Sequence, residues 1–71
     1  MTLDQANAGF EGTIERLEGD PVVVERLREI GCLTGETIRV LSRMVFGEPL
    51  VVEVRGTSVA MRNVEARCIR V

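Results

Sequence analysis

The side chains that could do chemistry in this 71-residue chain are few. It has no His and no Lys, two Cys, eleven acidic residues and nine basic residues, all of them Arg. Without His, the usual acid/base group at neutral pH and the commonest metal ligand are both missing. A metal would have to be held by Cys32, Cys68 or grouped carboxylates such as Glu11, Glu15 and Glu18. A strand over this stretch would put Glu11 and Glu15 on one face. Cys32 and Cys68 form neither a CxxC pair nor a dense disulfide framework, and they read as reduced, buried thiols. Glu25 and Glu29 stand four apart, but Arg26 and Arg28 interleave them, which describes a solvated helix face rather than a ligand pair. No metal site and no cofactor are therefore expected. Ser42 and Ser58 have no His or Lys to activate them, and neither a GxxxxGK[ST] nor a GxGxxG loop is present. The chain reads as a protein without catalysis of its own.

Charge bears on partners. The net charge is −2, a poor balance for binding nucleic acid. The two aromatic residues, Phe10 and Phe46, are far apart in sequence and make no stacking platform. The charge is nevertheless uneven. Residues 1–36 hold eight acids and three Arg (3 − 8 = −5), whereas 37–71 hold six Arg and three acids (6 − 3 = +3). One end or face can thus be basic enough to dock an acidic partner. Apolar runs stop at three residues, whereas a membrane span needs about 20. Nothing at the N-terminus has the form of a signal peptide, so a cytoplasmic location and no membrane insertion are expected.

Elements must position these groups. Residues 1–8 are small and polar and read as a flexible leader, with one domain over 9–71. A diluted alternation from Phe10 to Leu17 predicts a first strand. Asp20 suits a helix N-cap and Pro21 the first helical position, with Val23, Leu27 and Ile30 on the buried face and Gly31 as the stop. Beyond Gly35 the chain alternates as strands. Ile38 and Val40 share a face, as do Leu50, Val52 and Val54, then Val59 and Met61, and finally Ile69 and Val71. Gly47-Glu48-Pro49 and Gly56-Thr57 reverse the chain, and Asn63 to Ala66 reads as a short connector or one helical turn. Val and Ile make up fifteen of the 71 residues, a β-favouring bias. The expected fold is mainly β with one inserted short helix, a small SH3-like β-barrel of about five strands with the helix plugging one open end.

From Leu27 onward the motifs resemble a known family. Leu27-Arg28-Glu29-Ile30-Gly31-Cys32-Leu33-Thr34-Gly35-Glu36-Thr37-Ile38-Arg39-Val40 is similar to the L-x-x-x-G-x-x-x-G-x-x-x-x-V signature of FeoA proteins. Phe46-Gly47-Glu48-Pro49 through Val54-Arg55-Gly56 resembles the second FeoA hairpin, and Ala60-Met61-Arg62-Asn63-Val64-Glu65-Ala66 through Ile69-Arg70-Val71 resembles the FeoA ending. Thr34 and Val45 stand where such sequences often carry Pro. The resemblance implies an SH3-like accessory protein of bacterial ferrous-iron uptake. Its implied partner is FeoB, the ferrous-iron permease, through the cytosolic GTPase domain. It also implies kinship with the C-terminal domain of diphtheria-toxin-type iron-dependent repressors. The alternative is a transition-metal-binding small barrel with a regulatory role. The candidate partner-binding residues are Met44, Val45, Phe46 and Pro49 at a hydrophobic hairpin tip, with Arg55 and Arg62, and behind them Arg67 and Arg70, as a basic surface. An exposed strand edge leaves room for self-association.

Overall fold

The computed structural model describes residues 1–44 and 46–71. Six strands form two sheets. One sheet has four strands in the order β1 (Glu11–Thr13), β3 (Thr37–Arg43), β4 (Leu50–Val54) and β5 (Thr57–Met61). The second pairs β2 (Arg16–Leu17) with β6 (Ile69–Arg70), and every pairing is antiparallel. The small barrel of about five strands expected from the sequence is here six strands in two sheets among the described residues. Gly12, Thr13 and Ile14 stay with β3, since the Ile14 N–H bonds the Glu36 carbonyl at 2.9 Å. From Glu15, whose N–H bonds the Arg70 carbonyl at 2.8 Å, the chain has moved to the other sheet.

The strand pattern matches the alternation in the sequence. Ile38, Val40, Leu50, Val52, Val54 and Met61 are buried, and the register places Ile38 opposite Val54 and Val40 opposite Val52. Their outward neighbours form a charged row, Glu11–Arg39–Glu53, across β1, β3 and β4. Arg39 reaches Glu11 at 2.7 Å and Glu53 at 3.9 Å. Cross-strand pairing of opposite charges is what a solvated sheet face favours.

Helix α1 (Pro21–Glu29) starts where its cap dictates, with the Asp20 carboxylate accepting from the Val22 N–H at 2.9 Å. It ends at Ile30, and Gly31 follows with φ +103°, the left-handed stop that Gly adopts without a Cβ clash. The buried face differs from the expected one. Val24 and Leu27 are buried and Val23 only partly, while Ile30 is exposed. The helix finishes before Ile30 can join its stripe, so two residues three apart carry the seam. Helix α2 (Asn63–Ala66) is the single turn anticipated between β5 and β6. It packs near α1, and Arg26 reaches Glu65 at 3.3 Å.

The N-terminal segment is not a flexible leader. Leu3, which opens a short 3-10 turn (Leu3–Gln5), is fully buried, and Ala6, which follows it, nearly so. Thr2 bridges to Arg70, and the Val71 N–H donates to the Met1 carbonyl at 2.9 Å. The physical reason lies far along the chain. The Arg43 guanidinium donates to the Asp4 carbonyl at 2.9 Å and to the Ala6 carbonyl at 2.5 Å, so backbone groups that would otherwise seek water are satisfied inside.

Candidate functional site

The strongest candidate surface is the connection between β3 and β4. Gly47 turns with φ +83°, its N–H bonded to the Met44 carbonyl at 2.8 Å, and the Glu48–Pro49 peptide bond is cis. Phe46 is 95% exposed and Met44 56%, and Pro49 is also exposed. The Phe46 ring therefore lies in solvent and does not cover the core. Val45, named with these residues as a candidate, lies outside the described residues.

The base of this tip is held by polar side chains. Arg43, the last residue of β3, also reaches Asn63 Oδ1 at 3.3 Å. The Glu48 carboxylate accepts from the Asn63 N–H at 2.7 Å, so Glu48 and Asn63 tie the tip to the start of α2. A charged acceptor on a backbone N–H is among the stronger hydrogen bonds. Sequence reading did not single out Arg43, Glu48 or Asn63. A lone Arg at the end of a strand gives no signal that its partners lie 20 and 37 to 39 residues away.

The arginines separate. Register sets Leu50 opposite Met61 and Val54 opposite Thr57, so Arg62 follows β5 beside the tip while Arg55 precedes β5 at the far end of the sheet. Arg55 has φ +54° and sits 3.9 Å from Glu36. Arg67 lies 3.6 Å from Asp4. Arg55 and Arg62 therefore do not form one basic patch. Arg62 alone joins Met44, Phe46 and Pro49.

The thiols and carboxylates do not assemble. Cys32 is fully buried, and desolvation pushes its thiol from an ordinary value of 9.0 up to about 11. That disfavours the thiolate that a metal would require. Cys68 is buried beside Gly19, its thiol directed at the Val64 carbonyl at 3.6 Å. Glu11 is paired with Arg39, and Glu18 with Arg16 at 3.1 Å. Among the described residues no three Cys, Asp or Glu side chains come together as a metal-binding group. No helix among them is long and apolar enough to cross a membrane.

Known proteins place this geometry. The family model for the FeoA domain matches residues 1–71. No curated protein matches. Among solved structures, the zinc complex of Stenotrophomonas maltophilia FeoA, described as a prokaryotic SH3 domain protein, is 32% identical with a TM-score of 0.87. That match covers 99% of this chain and 87% of the other. FeoA from Chlorobium tepidum is 30% identical with a TM-score of 0.88, covering 99% of this chain and 67% of its own. A manganese-dependent transcriptional repressor in complex with manganese is 27% identical with a TM-score of 0.88; the match covers 97% of this chain but 34% of the repressor. The two-sheet architecture is thus the small SH3-like fold of these proteins, including the repressor relationship anticipated from sequence. With the family model spanning the whole sequence, the chain belongs to the FeoA domain family.

Proposed function

We propose that this protein is a cytoplasmic, non-catalytic accessory factor of bacterial ferrous-iron uptake that docks on a FeoB-type permease through the β3–β4 tip. One observation carries the reading: a Phe ring 95% exposed at the end of a turn whose base is pinned by Arg43, Glu48 and Asn63. Large apolar groups in water are costly to keep, and presented on a fixed support they serve as anchors for a partner. Met44 and Pro49 widen the apolar contact, and Arg62 adds a charge at its rim. The support limits the ordering that binding would otherwise require. The buried, weakly acidic Cys32 thiol and the paired carboxylates Glu11 and Glu18 favour this adaptor role over intrinsic metal binding.

The test is an amide NMR titration with the cytosolic GTPase domain of a FeoB-type permease, with and without a GTP analogue. Localised shifts at Met44, Phe46, Gly47 and Arg62 are expected, and Phe46→Ser should weaken binding at least tenfold. Shifts that persist unchanged in Phe46→Ser, or no shifts at millimolar domain, would reject docking through the tip.

A further inference from the structure

Strand β5 lies at one side of the four-stranded sheet, with β4 as its partner there. The Arg55-Gly56 turn has positive φ at both positions, +54° and +78°, the geometry of a type I′ hairpin. Such a turn is closed by a hydrogen-bonded pair of flanking residues, here Val54 and Thr57. Bonded and non-bonded pairs alternate along an antiparallel ladder. Val52–Val59 and Leu50–Met61 are therefore bonded as well. Thr57, Val59 and Met61 turn their backbone groups toward β4, while Ser58 and Ala60 turn theirs toward the open edge. Both Ser58 and Ala60 are exposed. The free segment ends at Arg62. Its N–H is taken by the Glu65 carboxylate at 2.9 Å, and its carbonyl accepts from the Glu65 and Ala66 N–H groups at 3.0 Å each.

Exposed edges are usually blunted by charge or Pro within the strand. Residues 57–61 carry neither. Instead a cation stands just outside each end. Among the described residues, Arg55 pairs with Glu36 alone, at 3.9 Å on the β3 side of the hairpin. That weak exposed contact can be exchanged for a carboxylate at the edge. The Arg62 guanidinium has no carboxylate within salt-bridge distance among the described residues. This arrangement opposes self-pairing. Two antiparallel copies bonding through Ser58 and Ala60 would set Arg62 of each opposite Gly56 of the other, next to its Arg55, crowding like charges at both ends. Glu53, opposite Ser58, likewise disfavours an acid at the centre of an added strand. The geometry points to the β5 edge as a strand-addition site for an extended segment of a partner protein, with a carboxylate at each end and uncharged β-forming residues between. Backbone hydrogen bonds would supply the contact, and the two terminal ion pairs would set its polarity and length. The edge shares Arg62 with the rim of the tip, but its backbone groups at Ser58 and Ala60 do not depend on the tip's role.

A suitable probe is the acetylated, amidated peptide Glu-Val-Thr-Val-Thr-Val-Glu, compared with a version carrying Lys at both ends. At saturation, hydrogen exchange at the Ser58 and Ala60 amides should slow at least tenfold. The Thr57, Val59 and Met61 amides, already bonded to β4, should change little. The Lys-ended peptide should bind at least fivefold more weakly. Ala60→Pro removes an outward N–H without removing a bond to β4, and should abolish peptide binding. If that variant fails to fold, N-methylation of alternate peptide residues should abolish binding to the unaltered protein. Equal binding of both peptides, protection without the two-residue alternation, or no protection at millimolar peptide would overturn the proposal. So would Ser58 and Ala60 protection that rises with protein concentration alone, since the occupant would then be a second copy.

Discussion

Strand β4 leads into a turn at each end, and the two are built in opposite ways. At its C-terminal end, Arg55-Gly56 reverses the chain in two residues, both with positive φ. Backbone conformation alone shapes that turn. At its N-terminal end the connection from Arg43 to Leu50 takes six residues. Its shape depends on bonds to Asp4, Ala6 and Asn63, all distant in sequence. The short turn has a minimal apolar surface, whereas the long one projects Phe46 into water. A turn held by its own dihedrals needs no support from elsewhere in the chain. A turn held from outside can give its apex to a partner.

Substitutions can break this comparison, and the largest effect falls on the externally held turn. Arg43→Ala leaves the part-buried Asp4 and Ala6 carbonyls without their donor, at a cost of about 2–3 kcal/mol. Denaturant unfolding should read that loss, and amide exchange should quicken together at Gly47 and in residues 3–6. Quickening at Gly47 alone would mean that the N-terminal segment is held by burial of Leu3. At the short turn, Gly56→Val puts a β-branched side chain at φ +78°, costing about 1–3 kcal/mol. A Cβ there meets nothing within 4 Å, so the penalty should be dihedral strain with exchange in residues 3–6 unaffected. Arg55→Asn should act in reverse, stabilising by about 0.5–1 kcal/mol because Asn tolerates the left-handed region. The exposed 3.9 Å contact with Glu36 offsets little of that gain. Phe46→Ser should change stability by less than about 0.5 kcal/mol, since the ring packs on nothing. A loss above 1 kcal/mol would mean that the tip is part of the fold rather than a display.

Legibility in the sequence followed the same division. Features fixed by neighbours could be read directly. Asp20 and Pro21 mark the start of α1, Gly31 marks its end, and the period-two pattern assigns the buried residues of β3 and β4. Features fixed across the chain could not. Leu3 and Ala6 sit in a polar stretch and become core through partners far along the chain: Arg43, 37 to 39 residues on, bonds the backbone around them, and Arg70 and Val71 pair with Thr2 and Met1. Val24 and Leu27 carry the buried seam, while Ile30 follows the end of the nine-residue α1 and is exposed, unlike the stripe drawn through Val23, Leu27 and Ile30. For the site, a hairpin bearing Met44, Phe46 and Pro49 was visible in residue types, but its rigid base was not. The separation of Arg55 from Arg62 appears once the β4–β5 register is known.

The bonds between Met1 and Val71 have a further consequence. The two ends of the described backbone exchange contacts, with the Met1 ammonium 3.3 Å from the Val71 carbonyl and the Val71 N–H on the Met1 carbonyl. At this seam the backbone closes on itself through hydrogen bonds alone. A linker of a few residues joining Val71 to Met1, with new ends opened between Arg55 and Gly56, would keep both sheets and the apex around Phe46 intact. Such a permuted chain would exchange a covalent two-residue reversal for a covalent seam between β6 and the N-terminal segment.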